Sequence, residues 1–292
     1  MLVTFLWSTS WVLIKQGLDE IPALPFAGLR YGLAFVILLP GLWRHRGEVR
    51  HLSPKDWAWL ALLGVIFYAL TQGGQFLTLQ HLDAIPFSLI LSFSPILVAV
   101  ASLFALKERP GWVQWGGIVL VLAGALIYFL PASSITGSAL GFALAGITLL
   151  ANSASSLLGR SINRRKVAHP LVVTAISMGI GALILLGSGL VTQGVPVLTL
   201  KGWAIAAWLA VVNTALAFTL WNYSLRSLSA TESSVINNTM LIQIAILAWL
   251  FLRESLGTLQ IVGLAFVACG TMLAQIRRAR IARRSGRSEG TV

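Results

Sequence analysis

The sequence is poor in charge, and poorest in acid. Charged residues make up 10% of the 292, and only nine are Asp or Glu. A soluble globular chain carries about 25% charge, because it must coat its surface with it. Hydrophobic residues reach 57%, and the mean hydropathy is +0.84. Lipid is therefore the solvent for most of this chain, which excludes a soluble enzyme and a disordered protein. The lone Cys269 excludes an internal disulfide and any cysteine cluster for zinc or iron–sulfur. No acidic pair lies inside an apolar run, and His45, His51, His81 and His169 all fall between runs. An intramembrane protease or metal hydrolase would lack its base and its ligands. No catalytic residue, metal or cofactor is expected.

What the sequence has is long apolar runs. A membrane span needs about 20 predominantly apolar residues. Ten such runs are read, at 2–18, 25–43, 57–79, 84–106, 112–130, 138–159, 170–192, 202–224, 230–252 and 257–276. A β-barrel would show dyad alternation in short segments; runs such as Gly116 to Leu130 are apolar on all sides. The fold class expected is an all-α polytopic membrane protein of ten transmembrane helices. The first run has no basic leader and no small-residue cleavage site after it, so it reads as a retained helix.

Basic residues report orientation, because Lys and Arg stay on the cytoplasmic side. Seventeen of the 21 fall on one side: the tail after 276, the 2–3, 4–5 and 6–7 loops, and Arg226. Lys15, Lys201 and Arg253 fall near the other boundary, and Arg30 lies inside the second span. Both termini are expected in the cytoplasm. The net charge of +12 thus records topology and contact with the bilayer rather than nucleic-acid binding.

Sliding the chain by 146 residues lays Lys55–Gly124 on Lys201–Gly270 without a gap, and 22 of 70 pairs are identical. They include Ser88/Ser234, Glu108/Glu254, Gln114/Gln260, Gly117/Gly263 and Gly124/Gly270. Each half holds five spans, an odd number, so the second half crosses the membrane upside down. Inverted halves are the architecture of many secondary transporters, with the site at their interface near the midplane. The organisation expected is a first repeat at 1–130, an inverted second repeat at 131–276 and a basic cytoplasmic tail at 277–292.

Trp7 to Gly17, Arg30, Pro95, and Glu108 followed by Gln114 and Gly117 resemble the pattern of an EamA domain, and Glu254, Gln260 and Gly263 repeat the closing set. The chain resembles a bacterial member of the drug/metabolite transporter superfamily with two EamA repeats. Within it, the chain is similar to the YddG-type exporters of aromatic and other amino acids. It departs from the family at Leu241, which stands where a second-half counterpart of Pro95 would be. The resemblance implies a basket of ten helices, with spans 1, 3, 4, 6, 8 and 9 walling a central cavity.

Polar groups inside lipid tend to face the interior. Helical spacing puts Tyr68, Gln72 and Gln75 on one stripe, Ser88, Ser92 and Pro95 on another, and Thr148, Asn152 and Ser155 on a third. The mates of the first two stripes are Thr214, Phe218 and Trp221, and Ser234, Asn238 and Leu241. Amides donate and accept, which suits a zwitterion; aromatic faces take an apolar side chain. The candidate substrate-binding residues are Trp7, Trp11, Tyr68, Gln72, Gln75, Ser92, Asn152, Trp221 and Asn238. Lys15 is a candidate electropositive mouth and Pro95 a candidate gating hinge, since Pro95 cannot donate to the Leu91 carbonyl and should kink its span. Arg30 would cost about 2.5–3.5 kcal/mol if it faced lipid, so it is expected to pair with a carbonyl or with Asp19 or Glu20, in a structural role. Glu108 and Glu254 read as loop-packing residues.

The function expected is export of amino acids, aromatic ones among them, or similar small metabolites by alternating access across a bacterial cytoplasmic membrane. Export of drugs or other amphipathic metabolites is the second reading. A non-transporting scaffold or receptor is the third.

Overall fold

The computed structural model describes residues 1–82, 87, 90–107, 111–129, 138–240, 242–244, 246–247, 257–270 and 272–273. Ser88, Glu108, Leu241, Arg253, Glu254 and the tail arginines lie outside the described residues, as does the side chain of Lys15 on the first helix. The described residues are all-helical, with no β-strand.

Helix α1 runs Leu2–Leu18, α2 Ala23–Arg44 and the short α3 Arg46–Arg50. Helix α4 spans Pro54–His81 and α5 Ser94–Ala105. Then come α6 Trp112–Phe129, α7 Ala139–Arg164, α8 Pro170–Gln193 and α9 Leu200–Ser224. Helices α10 Ala230–Asn238 and α11 Thr258–Gly270 close the described set. Five of these, α2, α4, α7, α8 and α9, are long and apolar enough to cross a membrane. Three shorter apolar helices accompany them: α5, most of α6, and α11.

The helix starts follow from local sequence. Ser53 caps α4 by accepting from the Asp56 N–H, while the Asp56 carboxylate accepts from the Ser53 N–H, and Pro54 fills the first turn where no donor is needed. Its counterpart 146 residues on, Thr199, caps α9 by accepting from the Gly202 N–H. Ahead of α6, the Gln114 side chain accepts from the Gly111 N–H at 2.8 Å; ahead of α11, Gln260 accepts from the Gly257 N–H at 2.7 Å.

Two helices leave the α-helical pitch midway. Helix α4 widens into a π-helix over Gly64–Gly73, and α9 does the same over Val211–Leu216. The Thr71 hydroxyl donates to the Ile66 carbonyl, five residues back, at 2.8 Å. Such stretches often mark functional sites. They recur at the same 146-residue offset as the caps.

Helices α6 and α11 cross where backbone meets backbone. A Cβ on Gly124 would stand 2.5 Å from the Gly263 carbonyl oxygen, and one on Gly270 would stand 2.6 Å from that of Gly117. Only glycine allows this approach. Gly117/Gly263 and Gly124/Gly270 are the offset pairs, so one contact repeats the other with the partners exchanged.

The helical ladder is interrupted just ahead of Pro95. Leu91 is helical, Ser92 and Phe93 form a turn, and α5 restarts at Ser94 with Pro95 in its first turn. There its missing N–H orphans nothing.

Outside the long helices, α2 and α8 are tied together by a small titratable cluster. The rings of His45 and His169 stack at 4.5 Å between centroids. The Glu48 carboxylate accepts from the main-chain N–H of His169 at 2.6 Å and pairs with His45 Nδ1 at 3.0 Å.

Candidate functional site

A cavity of about 110 Å³ opens among the helices. Its aromatic wall is Trp7 and Trp11 of α1, Phe67 of α4, and Phe218 and Trp221 of α9. Trp7 packs at 4.9 Å from Phe218 and 5.1 Å from Trp221, centroid to centroid. Its amide wall is Gln72 and Gln75 of α4, Asn152 of α7, and Asn237 and Asn238 of α10. Ser92, at the break before α5, also reaches it. Five pairs of lining residues stand 146 apart in sequence: Ser10/Ser156, Gln72/Phe218, Gln75/Trp221, Leu91/Asn237 and Ser92/Asn238.

Hydrogen bonds fix the amides. The Tyr31 hydroxyl donates to Gln72 Oε1 at 2.9 Å. Asn152 Nδ2 donates to Ser94 Oγ at 2.9 Å. Asn238 Nδ2 donates to the Ser92 carbonyl at 3.3 Å. Two buried groups on the wall have no partner among the described residues: the Trp7 indole N–H, a donor, and Asn237 Oδ1, an acceptor. The cavity therefore offers aromatic faces together with free donors and acceptors, the combination an amphipathic solute needs.

The EamA-like transporter family matches residues 1–130 and 139–275. The chain belongs to that family. An S-adenosylmethionine/S-adenosylhomocysteine transporter of Chlamydia muridarum is 30% identical over 91% of this chain and 87% of its own. The protein of that name from Chlamydia trachomatis serovar L2 is 32% identical over 91% and 85%. An uncharacterized transporter of Bacillus subtilis, YoaV, is 26% identical over 93% of both chains. A crystal structure at 17% identity covers 96% of both chains with a TM-score of 0.78, which establishes the shared fold. This EamA-like protein is thus a multi-pass membrane transporter for a small molecule, and not an enzyme.

Of the residues expected to bind substrate, Trp7, Trp11, Gln72, Gln75, Ser92, Asn152, Trp221 and Asn238 line the cavity of this transporter. Tyr68 does not. It is fully buried behind the wall, 5.6 Å from the Tyr31 ring and 5.2 Å from Phe218. The reason is the π-helix. Each residue of a π turn advances through a smaller angle than in an α-helix, so Tyr68 falls off the stripe that Gln72 and Gln75 keep, and Phe67 lines the cavity instead. On α7, Ser156 rather than Ser155 reaches the cavity, while Ser155 Oγ donates to the Asn152 carbonyl at 2.8 Å. Pro95 is buried at the start of α5 and is not on the wall.

Arg30 makes the expected bond to a carbonyl, and it does so on the cavity wall. It is 2% exposed and lines the cavity. Its Nε donates to Thr214 Oγ1 at 2.6 Å and its Nη2 to the Asn213 carbonyl at 3.3 Å, both in the π segment of α9. Its guanidinium lies 5.2 Å from the centre of the Tyr31 ring. Of the expected partners, a carbonyl is found; neither Asp19 nor Glu20 reaches it, and Glu20 accepts from Thr199 Oγ1 at 2.6 Å instead. Residue spacing also misses Tyr31 and Asn237. Adjacency to Arg30 and to Asn238 is the available signal for them, but neither falls on a stripe of its own.

Proposed function

We propose that this transporter exports amino acids, aromatic ones among them, from the cytoplasm by alternating access between two inverted five-span halves. Ten spans, a cytoplasmic-membrane location and cytoplasmic termini belong to the same reading. The observation that carries the substrate class is the wall itself. Trp7, Trp11 and Trp221 offer aromatic faces beside the amides of Gln72, Gln75, Asn152 and Asn238. A zwitterionic head and an apolar side chain each find partners there.

Several details favour inverted halves. The lining pairs 146 apart, the exchanged glycine contacts of α6 and α11, and the π segments of α4 and α9 all follow from a two-fold relation between the halves. A site shared between such halves can open to either side in turn.

The named relatives favour a second reading, S-adenosylmethionine and S-adenosylhomocysteine. Both carry an α-amino-acid end and an aromatic base, so the same wall suits them. No Asp or Glu is among the described lining residues. A sulfonium cation would rest on aromatic faces alone, and the uncharged thioether of S-adenosylhomocysteine fits with less demand.

Flux of labelled L-phenylalanine, L-tryptophan and S-adenosylhomocysteine through purified protein in liposomes tests the site. Trp7→Ala, Trp11→Ala and Asn152→Ala should each lower flux of the transported solute several-fold while the variants remain folded. Unchanged flux in all three would overturn the assignment of the cavity as the substrate site.

A further inference from the structure

Arg30 is a buried cation whose partners are all neutral dipoles: a hydroxyl, a carbonyl and a ring face. No carboxylate among the described residues pairs with it. Arginine stays protonated in proteins, so its charge cannot be shed by titration. A charge taken out of water calls for an opposite charge or a full set of hydrogen bonds. Neither is complete here. Nε and Nη2 are used, and Nη1 makes no hydrogen bond among the described residues, although the side chain is on the cavity wall.

The surrounding groups hold the guanidinium rather than neutralise it. Thr214 and Asn213 fix one edge of its fork. Asn213 is held in turn by α1, through donation from its Nδ2 to the Leu6 carbonyl and to Thr9 Oγ1. The remaining Nη1 donors are unbonded among the described residues, on a side chain that lines the cavity. A planar fork with one edge fixed is oriented for a carboxylate. The same cavity is also lined by the unpartnered indole N–H of Trp7, a second donor, and by Asn237 Oδ1, an acceptor that an ammonium group can use.

We propose that Arg30 is the anion-binding residue of the cavity and holds the carboxylate of the transported solute. It thereby restricts the transporter to substrates that carry one. The inference rests on the transport reading above and narrows it: amines and neutral amphipathic compounds are poor substrates, and α-amino acids, with or without an adenosyl group, are good ones. Arg30 also has no counterpart in the second half, where Ile176 stands at its offset. The carboxylate would therefore be held by one half only, and the solute would enter the cavity in a single orientation.

Matched probes test this on the purified full chain. L-phenylalanine is compared with L-phenylalaninamide, and 3-phenylpropionate with 3-phenylpropionamide; apparent affinities are read from thermal stabilisation across a concentration series. Each carboxylate should bind about ten- to a hundredfold more tightly than its amide, the range for a charge-assisted hydrogen-bonded pair. Arg30→Gln should bring each ratio near one, and Arg30→Lys should keep part of it. If Arg30 only braces α2 against α9, Arg30→Gln lowers the unfolding midpoint and leaves the ratios intact, which overturns the proposal. Should Arg30→Gln fail to fold, the wild-type ratios and Arg30→Lys still decide. Equal binding of acid and amide by the wild type, or no binding of either acid, overturns it as well. Saturable flux of amines or neutral solutes alongside such a result would leave the transport reading standing.

Discussion

The side-chain amide of Asn238 donates to the main-chain carbonyl of Ser92 at 3.3 Å, across 146 residues of sequence. The two stand at the same offset as the other repeated features, so the bond joins equivalent points of the two halves. Ser92 lies at the break before α5, where Pro95 cannot continue the helical ladder. Asn238 thus supplies a donor to a carbonyl at the break. Replacing it with leucine should destabilise the protein by about 1 kcal/mol, the scale of a polar contact between membrane helices. The thermal midpoint in detergent should fall by about 2–4 °C. An unchanged midpoint would mean that this bond contributes nothing to the fold.

The crossing of α6 and α11 yields a sharper mutational contrast. Gly124→Val puts a branched side chain against the Gly263 carbonyl and the Phe266 Cβ, and backbone cannot yield as a side-chain tip can. Overpacking of this kind costs about 1–3 kcal/mol. Gly116, on the same helix, faces open space: a Cβ added there would meet nothing within 4 Å. Gly116→Ala should therefore be neutral or slightly stabilising. Thermal unfolding of the two variants side by side checks this; equal midpoints would contradict the close crossing.

Much of this site could be read from residue spacing because a 3.6-residue period maps sequence onto helix faces. Gln72 and Gln75, Trp7 and Trp11, and Asn152 reach the cavity for that reason. The failures lie where the period does not hold or does not apply. Tyr68 sits within the π stretch of α4, and nothing in Gly64–Gly73 distinguishes π from α pitch beforehand. Arg30 was legible as a buried charge and not as a wall residue, because its setting depends on Asn213 and Thr214, more than 180 residues away.

The His45–Glu48–His169 cluster should make stability sensitive to acid. Burial and the His45 charge keep His169 below the usual imidazole value, with Glu48 opposing and Arg226 adding to the shift. Partial burial raises the Glu48 carboxyl, but the bonds from the His169 N–H and His45, with the charge of both rings, outweigh it and hold the group below the usual carboxylate range. Below about pH 6.5 the unfolded chain binds a proton at His169 that the folded chain resists, so stability falls as pH drops through that value. The Glu48 contribution is present above the ordinary carboxylate value and is lost at lower pH still, through its depressed folded value. The thermal midpoint should fall between about pH 7 and pH 5, and less so in His169→Asn. Identical profiles for the two proteins would remove His169 from the account.

Among the described residues, no Asp, Glu or His lines the cavity, and groups of that kind are the usual proton carriers inside a membrane. Solute flux down its own gradient should therefore persist when a protonophore collapses the pH difference across the liposome membrane. A flux that stops on protonophore addition would place a proton carrier elsewhere in the path.

The most direct measurement is counterflow. Liposomes containing the purified protein are loaded with unlabelled L-phenylalanine, and entry of labelled L-phenylalanine is followed with no other gradient imposed. A cavity that opens to each side in turn predicts a transient, saturable accumulation of label, suppressed by excess external L-tryptophan. Absence of counterflow for L-phenylalanine, L-tryptophan and S-adenosylhomocysteine alike, with protein that is folded and reconstituted, would contradict the account.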